Sequence, residues 1–340
     1  MSETLFIRAD ANEIVGTGHV MRCLSIADQV REIGGDVVFV TADEKAVPMV
    51  TARGYEALVL GSRWDALDSE LDAFLSLIEE RGIRSLLVDS YYVTENYLRR
   101  LSEVAEVTYL DDLNRFPYPV QRVINYNFYG PETTYPAGET EYLLGTEYAP
   151  LRPEFSNIPE RGFGALRKIL ITTGGTDAYG VAEKLLARLT AEKEFDECEL
   201  FCVLGRFHAA KEELLVKYAG NERVHILVNI PNMMEYMCAC DAAVLAGGTT
   251  TYEICACGLP GVVYTLADNQ FDNARSAGRL GILPWAGDVR EDMEGFLNRT
   301  VEELLKLEDA IYRREISARM QKMVDGSGAV RIAEKLLKEH

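Results

Sequence analysis

Short apolar runs alternate with longer helical patterns along almost the whole chain, and few folds accommodate that alternation. In the first half Leu5-Phe6-Ile7, Val37 to Thr41, Leu86-Leu87-Val88, Val107 to Leu110 and Arg122-Val123-Ile124 read as strands. Between the first two, Gly18 to Ile33 places Val20, Leu24, Ala27 and Val30 at three- or four-residue spacing and stops at Gly34-Gly35, the pattern of a helix. Strands so uniformly apolar suit a parallel sheet buried on both faces, whose neighbours are joined by helical crossovers. From Tyr148 to Gly164 the rhythm breaks, and Pro150, Pro153, Pro159, Gly162 and Gly164 mark a linker. It then restarts with Lys168 to Thr172, Leu200 to Val203, Val224 to Leu227, Ala242 to Leu245 and Gly261 to Tyr264. The expected fold class is α/β, with two doubly wound Rossmann-like domains. Residues 1–150 form the first, 151–166 the linker, and 167–340 the second with a helical tail, Asp309 to Leu337. The sequence leaves open where that tail packs.

The 340 residues suffice for two such domains. Net charge is −19, from 35 basic and 54 acidic residues. A protein that tracks phosphates along a nucleic acid needs a basic face, so nucleic acid is not an expected partner. A single phosphate ligand remains compatible, because backbone N–H groups and a helix N-terminus hold one without net positive charge. No apolar run is long enough to cross a bilayer, and Met1-Ser2-Glu3-Thr4 carries no secretory pattern. Cys23, Cys198, Cys202, Cys238, Cys240, Cys255 and Cys257 include two Cys-x-Cys pairs in helical stretches. Residues two apart do not share a helix face, so these read as reduced apolar side chains rather than as a zinc site. The expectations are a cytoplasmic location, no metal, no cofactor and no membrane insertion; oligomeric state is unassigned.

Gly16-Thr17-Gly18-His19 lies between the first strand and the first helix, where open α/β sheets bind their ligands. It is not the dinucleotide fingerprint, since Met21 stands where the third glycine belongs, and the chain has no Gly-Lys-Ser/Thr phosphate loop. His19 falls in the first turn of the helix. The positive dipole end disfavours a second positive charge there and leaves the imidazole able to accept a proton. The bland reading of His19 is a helix cap; the glycines and the strand-end position favour chemistry. Asp10 is placed to orient His19 or to pair with an arginine, Arg22 lies one turn beyond Gly18, and both are expected among the substrate-binding residues.

Four features of the second half belong together. Gly174-Gly175-Thr176-Asp177 follows a strand and precedes a helix, and Gly247-Gly248-Thr249-Thr250 repeats that arrangement. Backbone N–H groups in such turns hold phosphate. Glu253, one turn into the next helix, is suited to accept both ribose hydroxyls. Asn269-Gln270, just after another strand, offers amides to phosphate or sugar. Each feature alone is weak, and the set is far more specific.

This second half resembles the nucleotide-sugar-binding half of GT-B enzymes such as the MurG glycosyltransferase. The whole chain is similar to the PseG/SpsG family of UDP-sugar hydrolases. The similarity rests on Arg8-Ala9-Asp10, Ile14 to Arg22, Asp89-Ser90-Tyr91, Asp111-Asp112, Gly174 to Asp177, Asn232 through Pro260, and Asn269-Gln270. It implies a GT-B fold whose domains face a cleft, a UDP-sugar partner, and His19 as the base that activates water. It further implies that Gly16 to Gly18 lie near the diphosphate and Tyr91 near the sugar. Gly248, Thr249 and Thr250 would bind phosphate, Glu253 ribose, and Asn269 and Gln270 sugar or phosphate, with uracil held by backbone near Ile226. Two departures stand out: Thr176 replaces the family's usual serine, and the chain continues to residue 340. The implied reaction releases UDP from a UDP-linked 2,4-diacetamido-2,4,6-trideoxy hexose with inversion. A GT-B glycosyltransferase and a non-catalytic nucleotide-sugar binder remain the alternatives.

Overall fold

The computed structural model describes residues 4–175, 177–205, 208–228, 230 and 232–337. The chain divides into two compact units, residues 1–153 with 326–340, and residues 154–325.

The first unit is built on seven strands: β1 (Thr4–Ala9), β2 (Asp36–Thr41), β3 (Glu56–Val59), β4 (Ser85–Asp89), β5 (Glu106–Leu110), β6 (Arg122–Asn125) and β7 (Glu141–Leu144). Their order across the sheet is β3-β2-β1-β4-β5-β6-β7, and every pair is parallel. Ile7 faces Phe39 of β2 on one side and Leu87 of β4 on the other. All three are fully buried, because helices cover both faces of a parallel sheet. The order reverses at β1, whose onward connections leave to opposite sides. The crevice at a parallel sheet's carboxyl edge opens at such a switch point. Here it falls between β1 and β4.

The second unit repeats the plan with β8 (Lys168–Thr172), β9 (Glu199–Leu204), β10 (Val224–Val228), β11 (Ala242–Ala246), β12 (Gly261–Thr265) and β13 (Trp285–Asp288). The order β10-β9-β8-β11-β12-β13 is again wholly parallel and places its switch point between β8 and β11. Among the described residues no helix is long and apolar enough to cross a membrane.

Three strands, β3, β7 and β13, are absent from the apolar runs read in the sequence, and all three are edge strands. An edge strand has one neighbour and partial cover, so its side chains need not be uniformly apolar. Glu56 and Val59 of β3 are exposed.

The helical tail splits between the units, a correction to the boundary drawn from the sequence. Helix Ala310–Met323 stays with the second unit, where Arg313 donates to the carbonyls of Leu307 and Gly164. Helix Gly328–Leu337 joins the first and packs against helix Gly18–Glu32. The cause is an apolar face, Ala329, Ile332, Ala333 and Leu336, that needs cover. A close backbone approach fixes it: a Cβ on Gly328 would stand 2.2 Å from the Ala149 carbonyl oxygen. Lys335 adds an ion pair to Glu141 at 2.6 Å, and Arg331 donates to the Glu147 carbonyl.

Candidate active site

Two loops meet at the β1/β4 switch point. The loop after β1 folds back on itself. Asn12 and Gly16 exchange backbone hydrogen bonds, while the Asn12 side chain accepts from Ile14 and Val15 N–H. Gly16 has φ +71°, the left-handed region that glycine enters without strain. Thr17 is the N-cap residue of the following helix and makes no side-chain cap. Gly16, Thr17 and Gly18 are exposed, whereas His19 is only 6 % exposed.

His19 meets Asp89, the last residue of β4. Its Nδ1 lies 2.6 Å from Asp89 Oδ1. A carboxylate only accepts, so Nδ1 carries the proton and donates, and in the neutral ring the lone pair is then on Nε2. Arg22 Nη2 also lies 3.3 Å from Nδ1, but these are two donors. That guanidinium is satisfied elsewhere. Nε and Nη2 donate to the two oxygens of Asp89, both at 2.6 Å, and Nη1 donates to the Tyr126 hydroxyl at 2.7 Å. Asp112 Oδ2 adds an ion pair to Nη1 at 2.8 Å without hydrogen-bond alignment. Burial pushes the Asp89 carboxyl up, but Arg22 and His19 outweigh it and hold it well below the usual carboxylate range. Asp89 therefore stays ionised beside His19.

Tyr91, two residues past β4, sets its ring edge-on to the imidazole with centroids 4.4 Å apart. His19, Asp10, Asp89, Trp64, Tyr91 and Tyr92 border a recess of about 10 Å³, the room that one water needs. The Trp64 and Tyr92 rings meet edge to face, 5.1 Å apart.

Asp10 and Arg22 are both taken up by partners within the unit. Of the two roles open to Asp10, it takes the second and pairs with an arginine. It pairs with Arg8 at 2.6 Å and accepts from the Ala42 N–H at 2.8 Å, so it ties the ends of β1 and β2 together. Arg8 is fully buried and completes its valences on Glu70, which also takes the Tyr97 hydroxyl. Arg22, expected among the substrate contacts, is committed to Asp89, Tyr126 and Asp112 and holds the orienting carboxylate in place. Asp89 itself carries no role in the sequence reading, although Asp89-Ser90-Tyr91 follows a strand directly.

In the second unit the β8/β11 switch point brings two glycine turns to neighbouring strand ends. Gly174 and Gly175 follow β8 and are exposed; Thr176 lies outside the described residues. Asp177 is buried and turns inward, accepting from Val181 and Ala182 N–H at 2.8 and 2.9 Å. It caps helix Val181–Ala191 instead of facing solvent. After β11, Gly247 N–H donates to the Tyr264 carbonyl, and the Thr251 hydroxyl closes the turn on Gly248. Thr249 is exposed; Thr250 and Glu253 are half-buried on helix Thr250–Ala256.

Helix Asp268–Arg279 presses on this turn. A Cβ on Gly247 would stand 3.3 Å from Gln270 Cβ. The Gln270 carbonyl accepts from Leu266 N–H at 3.0 Å, which leaves its amide donor group for other contacts, while Asn269 is exposed. Ile226 is the one expected residue set apart. It lies in the middle of edge strand β10, with β9 and β8 between it and β11. Among the described residues no group of three or more His, Cys, Asp or Glu side chains could hold a metal ion.

No family model matches this chain. It is 24% identical over 274 residues to the uncharacterized protein MJ1062 of Methanocaldococcus jannaschii, covering 76% of this chain and 54% of that protein. The chain thus spans little more than half of that relative. It is 22% identical over 280 residues to the spore coat polysaccharide biosynthesis protein SpsG of Bacillus subtilis, covering 79% of each. Among solved structures, MurG of Acinetobacter baumannii superposes with a TM-score of 0.73 at 16% identity, over 99% of this chain and 100% of that one. A UDP-glucosyltransferase of Polygonum tinctorium gives 0.68 at 13%, over 100% and 99%. The spinosyn rhamnosyltransferase SpnG gives 0.64 at 16%, over 98% and 100%. Likenesses at these identities establish the fold: it is GT-B, as the sequence leads one to expect.

Proposed function

We propose that this protein is a nucleotide-sugar hydrolase, with His19 as the base that activates water. The observation that carries the reading is the His19–Asp89 contact at the first switch point. It commits Nδ1 as a donor, so that the neutral ring has its lone pair on Nε2, and His19 borders a recess of about 10 Å³. In the proposed step Nε2 takes a proton from water as the water oxygen bonds to the anomeric carbon. The bond from that carbon to the phosphate oxygen breaks, and its electron pair leaves with UDP. Attack from the face opposite UDP inverts the centre. Asp89 stabilises the imidazolium that forms.

In the second unit, the reading assigns phosphate to the turns at Gly174-Gly175 and Gly248-Thr249-Thr250, ribose to Glu253, and sugar or phosphate to Asn269 and Gln270. The uracil is assigned to backbone near Ile226. The substrate proposed is a UDP-linked 2,4-diacetamido-2,4,6-trideoxy hexose, consumed in the cytoplasm for pseudaminic-acid-type or related surface polysaccharide. The name of the Bacillus subtilis relative is consistent with that setting. A glycosyltransferase is the second reading, favoured by the activities named for the superposed structures.

The deciding experiment is a product assay on UDP-linked diacetamido trideoxy sugars. Free sugar and UDP are expected; sugar found only on an added acceptor supports the transferase and removes the hydrolase. Turnover is also expected to persist after exhaustive chelation. EDTA inhibition that one divalent ion reverses would contradict this mechanism.

A third outcome concerns the nucleotide. Hydrogen bonds to a charged group are worth about 1.5–3 kcal/mol, so Glu253→Ala should raise the UDP Kd about 10- to 150-fold. Isothermal titration measures it. An unchanged Kd would remove Glu253 from the ribose site.

A further inference from the structure

We propose that His208 is a positioning residue for the diphosphate: through Asp177 it holds the turn after β8 in the shape that offers backbone N–H groups to phosphate. The inference rests on the nucleotide reading above and assigns a role to a residue that the reading does not use.

His208 Nε2 lies 3.1 Å from Asp177 Oδ2, with His208 3 % and Asp177 8 % exposed. Asp177 is one of two described non-glycine residues with positive φ, at +48°. Few side chains adopt that conformation, Asp more readily than most. Three hydrogen bonds to its carboxylate hold Asp177 here, from Val181 N–H, Ala182 N–H and the imidazole.

The link reaches across to the end of β9. The His208 N–H donates to the Gly205 carbonyl at 3.1 Å. A Cβ on Gly205 would stand 2.6 Å from the Gly174 carbonyl oxygen and 2.5 Å from that of Gly175. The two strand ends therefore touch through their backbones, and a shift in one must move the other. Gly174 and Gly175 are exposed, and apart from their chain neighbours no described residue lies within 4 Å of where their Cβ atoms would be, so a ligand can approach the backbone closely.

Helix capping alone does not explain the imidazole. Asp177 already satisfies the first two N–H groups of the helix without it. The ring is held at a cost, since among the described residues Nδ1 is buried without a partner, as are the Thr173 hydroxyl and the Tyr264 hydroxyl. Buried polar atoms left without partners are rare and call for a reason. Holding the shape of a ligand-binding turn supplies one for His208. A carboxylate accepts, so Nε2 is the donor, and a side-chain amide nitrogen at the same reach can replace it.

The test is calorimetric titration of UDP and of uridine into the full chain and its His208→Gln, His208→Asn and His208→Ala variants, with thermal unfolding of each. His208→Ala is expected to weaken UDP about tenfold or more and to leave uridine unchanged, because the lost hydrogen bond shapes only the phosphate site. His208→Gln, whose amide reaches Asp177, should restore most of the UDP affinity, and the shorter His208→Asn should not. If His208→Ala fails to fold, the Gln and Asn variants carry the same comparison. UDP affinity equal to the parent's, or an equal loss for UDP and uridine, overturns this proposal alone. A parent that binds neither ligand overturns the nucleotide reading and this proposal with it.

Discussion

His19→Ala is expected to lower kcat by about 10²–10⁴, the usual contribution of one general base. UDP affinity should stay within about twofold of the parent, because the base acts on water only in the transition state. The imidazole sits in the first unit, and the residues proposed to hold UDP are in the second. The variant also leaves the Arg22–Asp89 pair with both of its hydrogen bonds, so folding should survive. Single-turnover kinetics with saturating UDP-sugar separates the outcomes. A kcat near the parent's would exclude His19 as the base, and a kcat loss accompanied by equal loss of UDP affinity would point to a binding role.

Asp89→Ala should cost both rate and stability, which distinguishes it from His19→Ala. Removing one partner of a buried ion pair costs about 3–5 kcal/mol. The lower end is expected, since Arg22 keeps Tyr126 and Asp112. The rate falls as well, because His19 loses the acceptor that holds Nδ1 as the donor and Nε2 as the base. The effect on stability depends on pH in a defined direction. Burial raises the Asp89 carboxyl, Arg22 and His19 more than offset that, and the folded-state value is depressed. Such a group contributes its full stability above its unfolded value, about 3.9, and loses it as pH falls toward the folded one. The gap between parent and variant in urea unfolding should be complete at neutral pH and should narrow in acid. A gap that held constant or widened in acid would mean that the carboxylate charge is not what stabilises this site.

What the sequence disclosed follows what periodicity encodes. Central strands such as β1, β4, β8 and β11 are apolar on both faces, and continuous apolar runs mark them. Edge strands β3, β7 and β13 are only four residues long, and their apolar stretches are too short or too mixed with polar residues to stand out. The glycine turns and His19 are local features and could be read as such. Asp89 could not be assigned its role, because it is 70 residues from His19 and reaches it only because β4 lies beside β1 in the sheet. Strand adjacency is a property of topology, not of spacing. Asp10 was the nearest carboxylate along the chain, but Arg8 and the Ala42 N–H already engage it. The Asp177–His208 contact escaped for the same reason, since it joins loops after two different strands.

The return of helix Gly328–Leu337 to the first unit has a consequence for synthesis. The second unit is a single unbroken stretch, residues 154–325, whereas the first is completed only by residues 326–340. A chain made N-terminus first lays down the seven-strand sheet early, but its helix Gly18–Glu32 gains helix Gly328–Leu337 as a neighbour only after the second unit has been synthesised. Domains fold as units when their residues are available. The unit that carries His19 therefore cannot be completed before the whole stretch 154–325 that interrupts it has been made.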